Sequence, residues 1–286
     1  MAKAAQELVK APEMTPAQIE EMNELYGTGV GISRRQEDNI IPLIYILQPL
    51  SPQAQSHRPD YIQGAVPGMI WLRNASNPLV AGNTGILFQP CFVWKDWGEW
   101  IPRERGGGMA GRWANKWDTN LGDDVPDCAD AQSTVQDGGF PSWTRPNGND
   151  LTLTRSHAGF VLLNGIPLPY VIPFTSSGLS ISKGWMTRMG TKFKRDGTPA
   201  DIWSVIYRLK TKAMHNAKGD WFAFDVHDTG EADGYPAIGN GIPAGFVHTR
   251  QDIERGKELH KAFAERKLQA EAPVAASGDM RDEIPF

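Results

Sequence analysis

The chain has 286 residues, 40% hydrophobic and 22% charged, enough apolar material for a substantial core, which excludes a wholly disordered protein. Thirty glycines and 21 prolines argue against a helical protein and for short strands joined by turns. The net charge of −4 gives no overall attraction to nucleic acid, and two cysteines, Cys91 and Cys128, form neither a disulfide framework nor a zinc pattern and fit a reducing cytoplasm.

In chain order, residues 1–14 read as a flexible leader without the apolar core of a secretion signal, so a cytoplasmic protein is expected. Thr15-Pro16-Ala17-Gln18 has the cap, first-turn proline and Gln of a helix start, followed by Ile19, Met22 and Leu25 on one face. Gly27-Thr28-Gly29-Val30-Gly31 follows a helix rather than a strand and lacks a Lys-Ser/Thr partner, so it reads as a loop, not a phosphate cradle. Asn39 to Leu50 predicts a buried strand, Met69 to Leu72 a short one, and Gly85 to Arg103 a long one carrying three tryptophans. From Glu104 to Asp150 the composition shifts to Gly, Asp, Asn, Pro and Ser, which predicts a long inserted loop. Strands resume at Leu151–Thr154, Gly159–Leu163 and Pro169–Phe174. The apolar run Phe160 to Phe174 is too broken by Asn164, Gly165 and three prolines to span a bilayer. A helix is expected from Leu179 to Met189 with Leu179, Trp185, Met186 and Met189 inward. Trp203–Ala213 and Asp220–Val226 predict a hairpin around His215–Gly219, and Thr249 to Glu271 predicts a Thr-capped, largely polar helix. Residues 272–286 read as a flexible acidic tail. The expected fold is mainly β with a few helices: residues 15–248 form an elaborated OB-type β-barrel, a Greek-key barrel that binds oligonucleotides on one face, with 104–150 inserted. A β-sandwich fits the same pattern.

Charge is polarised. Between Lys183 and Lys218 there are nine bases against Asp196 and Asp201, or +7, whereas Asp220 to Asp233 holds five acids and no Lys or Arg. Binding a single strand without sequence preference needs cations along the phosphates and aromatic rings for the bases. Strand alternation puts Arg208, Lys210 and Lys212 on one face, about 7 Å apart, near the phosphate spacing of an extended strand; a solvent-facing lysine-rich edge strand is the plain alternative. Lys183, Lys192, Lys194 and Arg195 extend the track. Trp94 and Trp100 share a strand face opposite Trp97, so one face is core and the other a stacking platform, unless all three rings pack the core or its rim. Arg103, Arg105, Arg112 and Trp113 flank or lie within an Arg-Gly-rich segment of the kind that stacks guanidinium groups on bases.

The last residues, Asp279-Met280-Arg281-Asp282-Glu283-Ile284-Pro285-Phe286, follow a small-residue Pro/Gly tether and place an apolar plug after acidic charge. This ending resembles the tip of phage and bacterial single-stranded DNA-binding proteins. The resemblance implies single-stranded DNA as ligand, and replication or recombination proteins as partners of Asp279, Asp282, Glu283, Ile284, Pro285 and Phe286. It also implies competition between tail and DNA, in the cytoplasm of an infected bacterium. Arg281 inside the acidic run departs from the family pattern and weakens the mimicry of DNA charge.

A catalytic reading has less to stand on. Asp123, Asp124, Asp127 and Asp130 lack calcium-loop order or a nuclease lysine, and His157, His215, His227 and His248 are scattered with no zinc pair or nucleophile turn. The expectation is a non-catalytic protein without cofactor or metal, with oligomeric state open. A phage structural or assembly protein is the alternative, and a metal-dependent nuclease a further one.

Overall fold

Two long strands form the spine of the molecule: β5 (Ile86–Trp100) and β8 (Asp150–Leu163), antiparallel along their length in the computed structural model. The structure describes residues 40–76, 78–105, 109–114, 125, 127–128, 142–163, 165–194, 196–216, 219–237, 243–247, 249–265 and 269–270. The expected helix at 15–27, the Gly27–Gly31 loop and the tail lie outside them. β5 begins after Gly85, whose φ of +69° and whose approach to Leu209 (a Cβ would lie 2.3 Å from the Leu209 carbonyl oxygen) both call for glycine. Pro90 has no N–H for the ladder, and the register shifts between Pro90 and Phe92. Opposite it, Gly159 packs so closely that a Cβ would sit 2.1 Å from the Gln89 carbonyl oxygen. The two predicted strands at Leu151–Thr154 and Gly159–Leu163 are therefore one.

β5 is flanked on its other edge by β10 (Tyr207–Asn216) at its start and β6 (Met109–Trp113) at its end. β8 likewise carries β9 (Ile166–Thr175) and β7 (Ser142–Thr144), and β11 (Gly219–Asp228) pairs with β10. The segment 104–150, expected as a structureless loop, thus contributes two short strands, because the far ends of β5 and β8 extend past β10 and β9 and leave backbone groups to pair. Pro42 splits the expected strand at Asn39–Leu50 into β1 (Ile40–Ile41) and β2 (Ile44–Ile46). β2 forms a three-stranded sheet with β3 (Ile70–Leu72) and β4 (Leu79–Val80). β1 pairs in parallel with β12 (Gln269–Ala270).

The fold is mainly β, as expected, but its sheets do not close into an OB-type barrel. At the outer edge of β11, side chains stand where a further strand would. The Gln48 amide accepts from Phe222 N at 2.8 Å through its oxygen and donates to Phe222 O at 2.9 Å through its nitrogen, and Arg188 donates to Val226 O. The main core includes Ile70, Leu72, Phe88, Ile172, Tyr207 and Leu209, together with Trp185 from α1 (Gly178–Gly190). α1 buries Leu179, Ser182, Trp185 and Met189 at helical spacing; Met186, expected inward, is 42% exposed, to one side of the face centred on Ser182, Trp185 and Met189. Trp185 stacks on His157 at 4.5 Å between ring centroids, and the fully buried imidazole shares a hydrogen bond with Ser182 Oγ at 2.6 Å. Burial, with a smaller push from Arg155, lowers the pKa of His157 to about 3, so the ring is neutral. α2 (Arg250–Ala264) starts at Thr249, whose Oγ1 accepts from Asp252 N. It ends before the expected Glu271, since Gln269 and Ala270 pair with β1.

Candidate nucleic-acid interface

Alternation along β10 is as the sequence implies. Tyr207 and Leu209 are fully buried, while Arg208, Lys210 and Lys212 project from the other face, Arg208 and Lys210 half-buried and Lys212 exposed. Register then brings β11 acids and histidines beside the cations: His227 opposite Arg208, Asp225 opposite Lys210, Ala223 opposite Lys212. Lys212 Nζ lies 3.2 Å from Asp225, which also meets His227 Nε2 at 2.9 Å, and Arg208 pairs with Asp233. Burial would raise the Asp225 carboxyl, but the bonds from Lys212 and His227 outweigh it and hold the pKa below its ordinary value. Lys192 pairs with Asp228 at 2.8 Å. Lys210 makes no ion pair with a described residue. Lys183 on α1 and Lys194 beyond it are exposed, and Arg195 lies outside the described residues. The acid-rich stretch after the basic one is thus folded back onto part of it. Surface pairs of this kind contribute at most about 1 kcal/mol each, so a phosphate can replace the carboxylate.

Of the four tryptophans expected to stack bases, three are engaged in the protein. Trp97 is wholly buried, edge-on to Trp143 at 4.9 Å, and has no face for a base. Trp94 stacks on Phe92 and on Phe263 of α2, its indole N–H donating to Asp96 at 3.1 Å. Trp113 is half-buried and donates to Glu99 at 2.9 Å. Glu99 is buried and accepts also from Arg145 (2.7 Å), Asn147 (3.2 Å) and Asn149 (2.7 Å). Burial pushes its pKa up, but these bonds more than offset that and keep the carboxyl below its ordinary value. Arg105, though exposed, donates to Asn147 O and Asn149 Oδ1, so it clasps the turn after β7. Arg103 lies in the short 3-10 turn Arg103–Arg105, and its side chain is outside the described residues. Residues 279–286 are outside them as well.

Trp100 and Arg112 are brought together. Both line a pocket of about 150 Å³ at the gap between the β11 edge and the ends of β2 and β9. Its walls add the rings of Tyr45, Phe174, Trp221 and Phe222, and the hydroxyl residues Thr152, Thr154 and Ser176. Arg112 is held in place by Asp96 (3.0 Å) and Ser156 Oγ (3.1 Å); burial raises the Asp96 pKa, and the arginine opposes that rise. Lys212 faces Ala223, itself a wall residue, so the cation row begins beside the pocket. The pocket aromatics escape a reading of the sequence because four separated segments supply them. The one usable signal was the Trp221-Phe222 pair in the strand facing Lys212.

Among the described residues no group of three or more His, Cys, Asp and Glu is placed to hold a metal ion, and no helix is long and apolar enough to cross a membrane. Asp127 is the single described acid of the Asp123–Asp130 group. Comparison with curated proteins and with solved structures gave no match. A family model, that of the Pam3 phage gp34-like protein, matches residues 11–269. The match covers most of the chain, which therefore belongs to the Pam3 phage gp34-like protein family.

Proposed function

We propose that this phage protein binds single-stranded DNA without catalysis and recruits replication or recombination proteins through its acidic Ile-Pro-Phe tail. The observation that carries this reading is the meeting of Trp100 and Arg112 in one aromatic-walled pocket with Lys212 beside it. An aromatic and guanidinium-lined cleft accommodates a base, and Lys212, Lys210 and Arg208 continue from it as a path for phosphates. The role of the tail rests on the sequence of residues 279–286.

Titration of intrinsic tryptophan fluorescence with a mixed-sequence single strand, a matching duplex, and a salt series tests this. Quenching by the single strand that weakens steeply with salt, with little response to duplex, is the expected result; absence of binding to any nucleic acid at low salt refutes it. Arg208, Lys210 and Lys212 changed together to Ala should weaken binding and lower the salt slope by roughly 2, at about 0.7 per phosphate contact. Deleting Asp279 to Phe286 should preserve or tighten DNA binding and abolish capture of partner proteins; loss of DNA affinity instead would remove the tail from this scheme.

The ion pairing of Arg208 and Lys212 with Asp233 and Asp225 favours a second reading, a phage structural or assembly protein in which this face is a solvated surface. The same titration separates the two.

A further inference from the structure

Asp225 is shared between two basic side chains. One carboxylate oxygen lies 3.2 Å from Lys212 Nζ and the other 2.9 Å from His227 Nε2, so a single acid holds a lysine of the cation row and a histidine at once. Register puts His227 opposite Arg208, on the same face as Lys210 and Lys212, with 47% of its side chain exposed. An ionised carboxylate only accepts, so the imidazole donates through Nε2–H, and the hydrogen-free nitrogen of the neutral ring is Nδ1. Nδ1 has no hydrogen-bond partner among the described residues. The charged groups around His227 are Arg208, Lys210 and Lys212 of β10, Asp225 on its own strand, and Asp233 from the turn beyond, which pairs with Arg208. Asp228, next along β11, points to the other face and pairs with Lys192. Three cations against two carboxylates leave this face one net positive charge when the imidazole is neutral and two when it is charged.

Resting on the single-strand reading above, we propose that His227 is a fourth phosphate contact of the cation row, and that binding a strand takes up a proton from solvent at its Nδ1. Histidine is the side chain that changes charge between pH 5 and 8. A phosphate arriving beside Arg208 favours the imidazolium, whose new Nδ1–H donates to it. The imidazolium also holds Asp225 more strongly than the neutral ring does, which releases Lys212 Nζ for the neighbouring phosphate. Neutral His227 does neither, because it turns a lone pair toward the phosphate. Affinity is then coupled to pH inside the interface itself, through one side chain and the carboxylate it shares.

The test uses the full chain and a thymine single strand, titrated at pH 8 and pH 6 over a salt series. Wild type should bind about fivefold tighter at pH 6, the effect of one unit charge about 4 Å from a phosphate in water. Its salt slope should be steeper there by about 0.7, as one further phosphate contact requires. His227→Gln keeps a donor for Asp225 and cannot be charged, so it should show the wild-type pH 8 affinity at both values. His227→Lys, charged throughout, should bind at pH 8 as wild type does at pH 6. Calorimetry at pH 7 in two buffers of different ionisation enthalpy should register proton uptake on binding by wild type and by neither variant. Equal pH dependence in wild type and His227→Gln overturns the assignment to His227. Tighter binding at pH 6 without a steeper salt slope overturns the phosphate contact. Wild-type affinity that ignores pH overturns the proposal and leaves single-strand binding standing, whereas failure to bind the strand at either pH overturns both.

Discussion

Acidification from pH 7 to pH 4 is expected to remove roughly 3 kcal/mol of folding stability through His157 alone, at about 1.4 kcal/mol per pH unit below the pKa of the unfolded chain. The imidazole is fully buried against Trp185 and titrates near 3 in the folded protein, against 6.5 for a free histidine. As pH falls through 6.5 the unfolded chain takes up a proton that the folded chain refuses. The stability is therefore complete above that value and is lost progressively toward 3. Glu99 acts in the same direction lower down: its pKa is depressed below 4.5, and its contribution is present above that value and disappears as pH falls through the folded pKa. Asp96, raised by burial, has the opposite sign. Urea denaturation of the wild type and of His157→Gln at both pH values isolates the histidine. The variant, whose amide does not titrate, should show an acid loss smaller by roughly 3 kcal/mol. Equal losses in the two proteins would show that the imidazole is not the acid-sensitive group.

Trp97→Ala is expected to cost about 3–5 kcal/mol, since it deletes a wholly buried ring from the cluster of Leu151, Leu153 and Leu179 and leaves a cavity. Trp100→Ala, three residues away on the same strand, should stay within about 1 kcal/mol of wild type while weakening single-strand binding by about tenfold, the value of one stacked base. The pair separates packing from binding within a single strand. Thermal denaturation read beside the DNA titration decides it. If Trp97→Phe, which refills much of the core, loses DNA affinity while remaining folded, Trp97 belongs to the binding surface after all.

The strand Tyr207 to Lys212 was legible because one face is buried: a period of two sorts Tyr207 and Leu209 from Arg208, Lys210 and Lys212 with no knowledge of neighbours. The partners of that outer face were only half legible. Asp225 follows from hairpin register, whereas Asp233 comes from a turn beyond the strand. Alternation also set Trp97 apart from Trp94 and Trp100, and their β8 neighbours, Leu153 against Ser156 and Asp150, agree. It could not reveal that Phe263, far along the chain on α2, covers Trp94. β6 escaped notice because Met109-Ala110-Gly111-Arg112-Trp113 has no apolar period; its pairing is imposed by the length of β5. The pocket was illegible for the same reason of distance. Each wall residue is ordinary in its own segment, and only the fold brings them to one gap.

The Gln48 side chain has a consequence for how copies of this protein meet one another. Its amide presents the donor and acceptor pair of a peptide group to Phe222, and so occupies one of the rungs of β11 on which a strand from a second molecule could pair. Arg188 donates to a second carbonyl of the same outer edge, at Val226. An outer strand plugged at two points offers an incoming strand an interrupted ladder rather than a continuous one.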